Sequence, residues 1–259
     1  MVSAAKTVIV AAFATTLLAQ QPAAQAFTES RVNTAPAAKP AAPALSPEMR
    51  GDIFMARKMY REAVEVYGSG AKSSAVLANK TGIAWHQLLD LRQAQRHYEH
   101  ALKLDRNYSE AVNNLGTVFY AKKNYRKAVA QYNKALKIAP NSASIYSNLG
   151  TAQFARKRYK LASEAYEKAL ALDPEVFEHR GTQGVLLQER NVIERAKFHY
   201  YMAKTYAKAG AIERALLYMR KALEEGFREK DKFREEPEFA RLQDNEEFVK
   251  LLAMEPRVL

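Results

Sequence analysis

Apolar and small residues recur at helical spacing from about residue 47, and the same pattern returns further along the chain. Residues 113–140 read NNLGTVFYAKKNYRKAVAQYNKALKIAP, and residues 147–174 read SNLGTAQFARKRYKLASEAYEKALALDP. The positions that agree are mainly small residues, tyrosines and leucines, whereas most polar positions differ. This pattern predicts pairs of amphipathic helices in which the shared residues form the packing and the variable residues form the surface.

The repeat interval is 34 residues, and four kinds of position keep it in three successive copies. These positions are Gly82, Gly116 and Gly150; Ala94, Ala128 and Ala162; Tyr98, Tyr132 and Tyr166; and Ala101, Ala135 and Ala169. An earlier copy has Gly51, Ala63 and Tyr67 at the same internal offsets. Such a period predicts stacked helix pairs, because a single pair cannot bury its own apolar face. We place this array over residues 46–176.

The period fails after the array, where Gly181 and Gly184 lie close together. We therefore expect an irregular spacer over 177–190, a final helix pair over 191–229 and a C-terminal cap over 230–259. In the final pair, the repeated positions are held by Ala203, Ala215, Met219 and Ala222.

Two local signals refine these C-terminal segments. Asn191 followed by Glu194 predicts the N-cap of a helix with its capping-box partner. The apolar spacing of the last segment predicts one amphipathic helix that covers the exposed end of the stack, as terminal units must. Its apolar residues are Phe239, Leu242, Phe248, Leu251 and Leu252.

The N-terminus has the pattern of an export signal. Lys6 precedes an apolar run of 13 residues, and Ala24-Gln25-Ala26 has the small residues of a cleavage site. We predict a signal peptide over 1–26, a Pro/Ala-rich linker over 27–45, and an exported, periplasmic mature chain without a transmembrane span. A retained anchor is disfavoured because such a run reaches only about 20 Å across a bilayer core of roughly 30 Å. A mitochondrial presequence is disfavoured because no arginine precedes Arg31.

The repeated pattern resembles the tetratricopeptide repeat family. The positions that match the family are Leu115, Gly116, Phe119, Ala128, Tyr132, Ala135 and Pro140. Arg106 stands where the family usually has proline, and Gln153 replaces an aromatic residue. The tail resembles the closing motif of some bacterial arrays. The resemblance implies an all-α fold, an α-solenoid of helix-turn-helix units with a C-terminal capping helix, and a function in binding other proteins.

The resemblance also implies where a partner would bind, because the first helices of such arrays line a concave groove. Asn114 and Asn148 match the family's recurrent groove asparagine, whose amide can bond to the backbone of an extended ligand. The expected groove residues of the array are Asn79, Asn113, Asn114, Thr117, Tyr120, Asn148, Thr151 and Phe154. A clamp for a partner's C-terminal carboxylate is not expected, since Val76, Glu110 and Ser144 stand where the family places a lysine.

The final pair adds a basic end to this expected groove. Lys197, Tyr200, Lys204 and Lys208 are spaced three, four and four residues apart, which places them on one face of a helix. We predict that they contact an acidic segment of the partner. The alternative is that these lysines only keep the helix soluble.

Composition and charge exclude several other functions. The chain has no cysteine, which excludes disulfides and thiolate sites, and no motif for phosphate binding or catalysis appears. His97 and His100 are better explained as solvated residues than as metal ligands. The formal charge of +12 is compatible with nucleic acid, but an exported protein rarely meets it. An acidic protein partner or the anionic surface of the envelope is the alternative reading of this charge. We therefore expect no enzyme activity, no cofactor, no metal and no nucleic acid.

These observations predict a non-catalytic scaffold or adaptor of the cell envelope that holds a protein or peptide segment in its groove. The alternative is a structural subunit that self-assembles through the faces of the array. The sequence leaves the oligomeric state open.

Overall fold

The computed structural model describes residues 45–178 and 191–254, and every regular element in these two ranges is helical. Ten longer helices form five antiparallel pairs, and three short elements follow them. The helices are α1 Pro47–Ala56, α2 Tyr60–Gly68, α3 Ala75–Gln87, α4 Leu91–Leu104, α5 Ser109–Ala121, α6 Tyr125–Ile138, α7 Ala143–Ala155, α8 Tyr159–Leu172, α9 Val192–Lys208, α10 Ile212–Glu224, α11 Asp231–Glu235, the 3₁₀ helix Pro237–Leu242 and α12 Glu246–Ala253.

The predicted signal peptide, nearly all of the linker and most of the spacer lie outside the described residues. The division of the chain into these segments therefore stays a prediction. Within the described ranges, no helix is long and apolar enough to cross a membrane.

Local capping explains where the helices begin. Asn124 Oδ1 accepts a hydrogen bond from Lys127 N at the start of α6, and Asp90 does the same for α4. The predicted N-cap of α9 is confirmed, since Asn191 Oδ1 accepts from Ile193 N and Glu194 N. These bonds satisfy amide groups that the first helical turn leaves without a partner.

Each turn inside a pair contains one residue with a left-handed backbone. In the first four pairs this residue is not glycine, with φ between 58 and 62° at Lys58, Leu89, Lys123 and Lys157. The fifth pair has Gly210 at the same offset, with φ of 78°. The left-handed conformation is strained for a residue with a Cβ atom, so only the fifth turn has the residue type that adopts it freely.

The repeated glycines are required by the repeated tyrosines. A Cβ atom added to Gly116 would lie 2.5 Å from Tyr132 Cε1, and the pairs Gly51–Tyr67, Gly82–Tyr98 and Gly150–Tyr166 have equally short distances of 2.1–2.6 Å. Each ring therefore lies directly against the glycine of its own pair, and it also packs toward the next pair, as Tyr98 does beside Leu115 and Val118. The small and large residues of the repeat thus form a separate cluster of buried residues around each ring, repeated along the stack.

The first four pairs stack with their first helices side by side and parallel. Asn114 bonds to Asn79, and Asn148 bonds to Asn113, so that α3, α5 and α7 are held in register. The first helix of each pair therefore packs against the second helix of the preceding pair in the antiparallel sense.

The fifth pair is reversed relative to this stack. Tyr159 at the start of α8 donates to Glu194 near the start of α9 at 3.3 Å, and Glu167 near the end of α8 accepts from Lys208 at the end of α9 at 2.7 Å. Consequently α8 and α9 run in the same direction, unlike α6 and α7. The final pair was predicted to continue the groove of the array. This prediction is wrong, because α9 runs in the opposite direction to the first helices that line the groove.

The C-terminal cap is confirmed, but the single amphipathic helix expected for it is divided. Phe239 and Leu242 lie on the 3₁₀ helix, whereas Phe248 and Leu251 lie on α12, and all four are buried. Asn245 separates the two elements because its side chain accepts from Glu247 N and Phe248 N, which starts a new helix. Together with Phe233 these residues complete the largest core cluster, which covers the fifth pair.

Candidate functional site

A polar groove crosses the first helices of the second, third and fourth pairs. It has a volume of about 280 Å³ and is lined by Ile83 of α3, by Ser109, Glu110, Asn113 and Asn114 of α5, and by Ser142, Ser144 and Ile145 at the start of α7. The structure thus brings two of the predicted residues, Asn113 and Asn114, into one concave surface. We call this surface the polar groove.

Four asparagines tie the helices beneath this groove together. Asn114 Nδ2 donates to Asn79 Oδ1, and Asn148 Nδ2 donates to Asn113 Oδ1, both at 3.0 Å. Asn79 Nδ2 continues the chain to the Tyr108 hydroxyl at 3.4 Å. Asn79 and Asn148 are fully buried, so their predicted contact with a ligand is wrong. The reason is that the helices pack closely enough for the amides to bond to each other.

Thr117 and Thr151 are also engaged within the chain. The Thr117 hydroxyl donates to the Asn114 carbonyl at 2.7 Å, and the Thr151 hydroxyl donates to the Ser147 carbonyl at 3.0 Å. Thr151 is buried, whereas Thr117 is half-buried. Only Thr117 therefore keeps a position from which it can reach a partner.

The two expected aromatic platforms belong to the core. Phe154 is 2% exposed and lies edge-on to Tyr159 and Phe198. Tyr120 is 9% exposed and packs on Tyr125 with 5.3 Å between ring centroids. The expectation that these rings form an open surface is wrong, because the following helix folds back over them.

The predicted basic end is not an open cluster either. Tyr200 is buried under Phe227, with ring centroids 4.4 Å apart. Lys204 Nζ lies 2.9 Å from Glu236 and 3.4 Å from Glu238 of the cap. Burial lowers the pKa of Lys204, but its bonds to these two carboxylates outweigh burial and hold the pKa above its ordinary value.

The other two lysines of this set are also occupied. Lys208 Nζ bonds to Glu167, and Lys197 Nζ lies 4.5 Å from the centre of the Tyr159 ring. The expectation of a lysine surface free for an acidic partner is therefore wrong for Lys204 and Lys208. The lysines are occupied because α9 runs in the reversed direction, which turns the helix face that carries them toward α8 and the cap.

The sequence analysis assigned no role to two carboxylates of the first helices, Glu110 at the polar groove and Asp52 in the first pair. Glu110 is exposed and accepts from the Tyr108 hydroxyl at 3.1 Å. In the first pair, Asp52 accepts from Lys80 Nζ at 2.7 Å. Burial raises the pKa of Asp52, but hydrogen bonds from Lys80 and Tyr67 outweigh it and lower the pKa below its ordinary value. The repeat register could have identified Asp52, because it follows Gly51 in the same way that Ile83, which lines the groove, follows Gly82.

No group of three or more histidines or carboxylates that could hold a metal occurs in residues 45–178 and 191–254. His100 Nε2 lies 3.3 Å from the Lys72 carbonyl oxygen, where a hydrogen bond connects two elements of the stack. The chemistry of the groove is thus that of amide, hydroxyl and carboxylate hydrogen bonding.

Residues 108–175, which span α5 to α8, match the family model described as tetratricopeptide repeat. No curated protein matches the chain. Together with the stacked helix pairs, the family match supports a general role as a protein–protein interaction scaffold.

Several solved structures are similar to this chain. A crystal structure of MamA is 20% identical, covers 68% of this chain and 93% of its own, and has a TM-score of 0.47. MamA from Desulfovibrio magneticus RS-1, residue 41 to the end, is 22% identical over 76% of this chain and 95% of its own, with a TM-score of 0.48. The second such repeat domain of human RPAP3, solved in complex with an HSP70 peptide, is 21% identical over 48% of this chain and 92% of its own, with a TM-score of 0.37.

Proposed function

We propose that this chain, a tetratricopeptide repeat protein, is a non-catalytic adaptor of the cell envelope that holds a segment of a partner protein in its polar groove. The observation that carries the proposal is the groove itself, which spans three first helices and is lined by hydroxyl, amide and carboxylate groups. An extended segment exposes backbone donors and acceptors, and such groups can be paired by these side chains.

The partner that fits this groove differs from the one expected from the sequence. An acidic segment has no support at Lys204 or Lys208, because both are paired within the chain, and Glu110 places a negative charge at the groove. A neutral polar or basic segment is favoured, since like charges across an interface reduce affinity.

Site-specific cross-linking tests this proposal. A photoreactive residue at Ser144 should capture the partner segment, whereas the same residue at Lys134, on the outer helix α6, should not. With the captured partner, Ser144→Arg combined with Glu110→Lys should lower affinity about tenfold or more, because it fills the groove and reverses its charge.

The matched control is Lys134→Glu combined with Lys137→Glu on α6, which should change affinity less than about threefold. If the groove variant binds as well as the unchanged chain, the polar groove is not the binding surface.

The exported location is part of the proposal and rests on the charged start, the apolar run and the small residues at Ala24 and Ala26. N-terminal sequencing of the native protein should begin at Phe27. A cytosolic protein that retains Met1 would contradict it.

A second candidate function, self-assembly, is favoured by one observation. The C-terminal end of the stack is capped, whereas α1 exposes Met49 (54%) and Ile53 (39%) one turn apart. Sedimentation tests it: if the chain forms oligomers that Met49→Glu with Ile53→Glu dissolves, the array assembles through its first helix. A monomer at all concentrations would leave only the adaptor function.

A further inference from the structure

The turns inside the four stacked pairs carry a high density of positive charge. They span residues 57–61, 89–92, 122–127 and 156–160, and together they hold twelve lysines and arginines and one acid, Asp90. Because the first helices of these pairs are parallel, all four turns lie on the same side of the stack. We call this surface the turn edge. Lys122 Nζ in the third turn donates to Gln95 Oε1 of α4 at 2.7 Å. This bond joins the third turn to the helix that follows the second turn.

The opposite side of the same stack has a different charge. The described parts of the connections that leave the second helices lie there, at residues 69–74, 105–108, 139–142 and 173–178, and they hold two cations and four acids. Among the described connections of the stack, positive charge is therefore concentrated on the turn edge. This asymmetry does not follow from the repeat period, since both sets of connections recur with it.

The cations of the turn edge are largely without acidic partners. Among the described residues, Lys157 is the one cation of this edge in an ion pair, at 3.6 Å from Glu194, and its side chain is still 72% exposed. Lys122 bonds to neutral Gln95, and Arg156 bonds to neutral Gln153. An edge with so few counter-charges has a positive potential that extends into solvent for about one Debye length.

Helix stability does not explain this choice of residues. Cations lie in the first turns of α2, α4, α6 and α8, where outward-facing N–H groups and the helix dipole favour anions. The first turns of α4, α6 and α8 contain no acidic residue at all. Lys58, Lys123 and Lys157 also take a left-handed backbone that glycine would adopt with less strain. Residues that break local rules in this way indicate a role outside the fold.

We infer that the turn edge binds the surface of a bilayer that contains anionic phospholipids. Packed helices lie about 10 Å apart, so four stacked pairs present a row of charge on the order of 30 Å long. A lysine or arginine near an anionic membrane surface strengthens binding about fivefold, so such a row is sufficient for stable attachment. Lipid headgroups diffuse in the plane, so no pocket of matching shape is required.

Single-stranded nucleic acid fits this edge less well than a bilayer. Its binding sites usually provide aromatic faces on which bases stack. Two of the three tyrosines between the cations already contact rings of the protein: Tyr125 packs on Tyr120 at 5.3 Å, and Tyr159 stacks on Tyr201 at 5.1 Å. The location predicted by the N-terminus also places the chain where phospholipid is available.

Binding through the turn edge is independent of the proposed groove. With this edge against a bilayer, the axes of the stacked helices stand away from the membrane, and the polar groove between α3, α5 and α7 opens to the side. A partner segment could be held there while the chain is attached. Failure of either interaction therefore leaves the other testable.

Vesicle flotation with the full chain tests the inference. One set of vesicles is pure phosphatidylcholine, and the other is an equimolar mixture of phosphatidylcholine and phosphatidylglycerol. The first set measures any attachment through the apolar N-terminal run, so the ratio between the sets isolates the effect of charge. We expect strong preference for the mixed vesicles at low salt and its loss at high salt.

Two matched variants locate the binding surface. The edge variant replaces four cations by glutamine: Lys123, Arg126, Arg158 and Lys160. The control variant makes the same change in four exposed cations away from the turn edge: Lys103, Arg106, Lys134 and Lys137. None of these eight side chains has a hydrogen bond or ion pair among the described residues. Circular dichroism checks that both variants keep their helices.

The edge variant should lose on the order of 100-fold in affinity for the mixed vesicles, and the control should change less than about threefold. Equal losses would mean that only net charge matters and would overturn the assignment. Tighter binding to duplex DNA or to polyglutamate than to mixed vesicles, at equal salt, would assign the edge to another class of polyanion. Absence of any preference for anionic vesicles would refute the inference outright.

Discussion

The four stacked pairs and the fifth pair have the same internal design but join the molecule differently. In a stacked pair, Gly116 on the first helix faces Tyr132 on the second, sixteen residues later. In the fifth pair, Ala203 and Met219 have the same separation and are buried in one cluster. Each pair thus places a small residue opposite a large one, which lets its two helices cross closely.

The docking of the pairs is where the two regions differ. Asparagine bonds such as Asn148 to Asn113 hold the stacked first helices parallel. The fifth pair has no asparagine at these offsets, and it is held against the stack instead by the rings of Phe154, Phe198 and Tyr201 and by the ion pair of Lys208 with Glu167. Its own polar bonds, Tyr159 to Glu194 and Lys208 to Glu167, join α9 to α8 in the same direction and do not join two first helices. The difference teaches that the repeated spacing determines a pair, whereas the direction of stacking depends on polar contacts between pairs.

The largest effect is expected from the cap that only the fifth pair has. Phe233→Ala should destabilise the chain by about 3–5 kcal/mol, because it removes a fully buried ring from the core of α9 to α12. Repeat arrays are stabilised by nearest neighbours, so the loss should be local. Hydrogen exchange should show reduced protection in α9, α10 and α12 and nearly unchanged protection in α3 to α6. Uniform loss of protection would mean that both regions unfold as one unit.

An exchange of the two packing designs tests whether they are equivalent. Gly116→Ala should cost about 1–3 kcal/mol, because the new Cβ would meet the Tyr132 ring. Tyr132→Met should cost about 2 kcal/mol by leaving a cavity above the glycine. The double variant recreates the design of the fifth pair, and denaturant unfolding should show that it costs at least about 1 kcal/mol less than the sum. Additive effects would show that the two designs are not interchangeable.

The polar register of the stack is tested by Asn148→Ala. It should cost about 1–3 kcal/mol, because the buried oxygen of Asn113 loses its donor. The control is Asn141→Ala in an exposed turn, with an expected change within about 0.5 kcal/mol. Urea titration of both variants gives the comparison. Equal midpoints of the two variants would show that the asparagine bonds do not stabilise the stacking of the pairs.

The smallest effect concerns the turns. Lys123→Ala should stay within about 0.5 kcal/mol, because the side chain is exposed and the Cβ atom remains. Gly210→Lys should cost about 1 kcal/mol, since it introduces a Cβ atom at a φ of 78°. The thermal midpoint should therefore fall in the Gly210→Lys variant and stay nearly unchanged in the Lys123→Ala variant. A stabilised Gly210→Lys variant would contradict this reading of the turn.

Much of the fold could be predicted because its signals are local. The 34-residue spacing of Gly82, Gly116 and Gly150 identifies the helix pairs, and the side chain of Asn191 identifies the start of α9. The candidate site was predicted less well. Tyr120 and Phe154 have the correct offset for a groove but are covered by the next helix, and coverage depends on side-chain volumes that a repeat pattern does not contain. In the sequence, Glu110 was considered only because it replaces the lysine that binds a C-terminal carboxylate in the family, although its own charge is part of the groove.

The sequence by itself determined that this chain forms paired helices, where the pairs begin, and which small and large residues meet inside each pair. These features depend on contacts between residues sixteen positions apart or fewer, for which the spacing along the chain is sufficient. The tertiary structure alone decided that α9 runs parallel to α8, that Lys204 pairs with Glu236, and that the charged turns align on one edge. Such contacts join residues that are distant in sequence, and their geometry follows from the packing of whole helices, which no local pattern specifies.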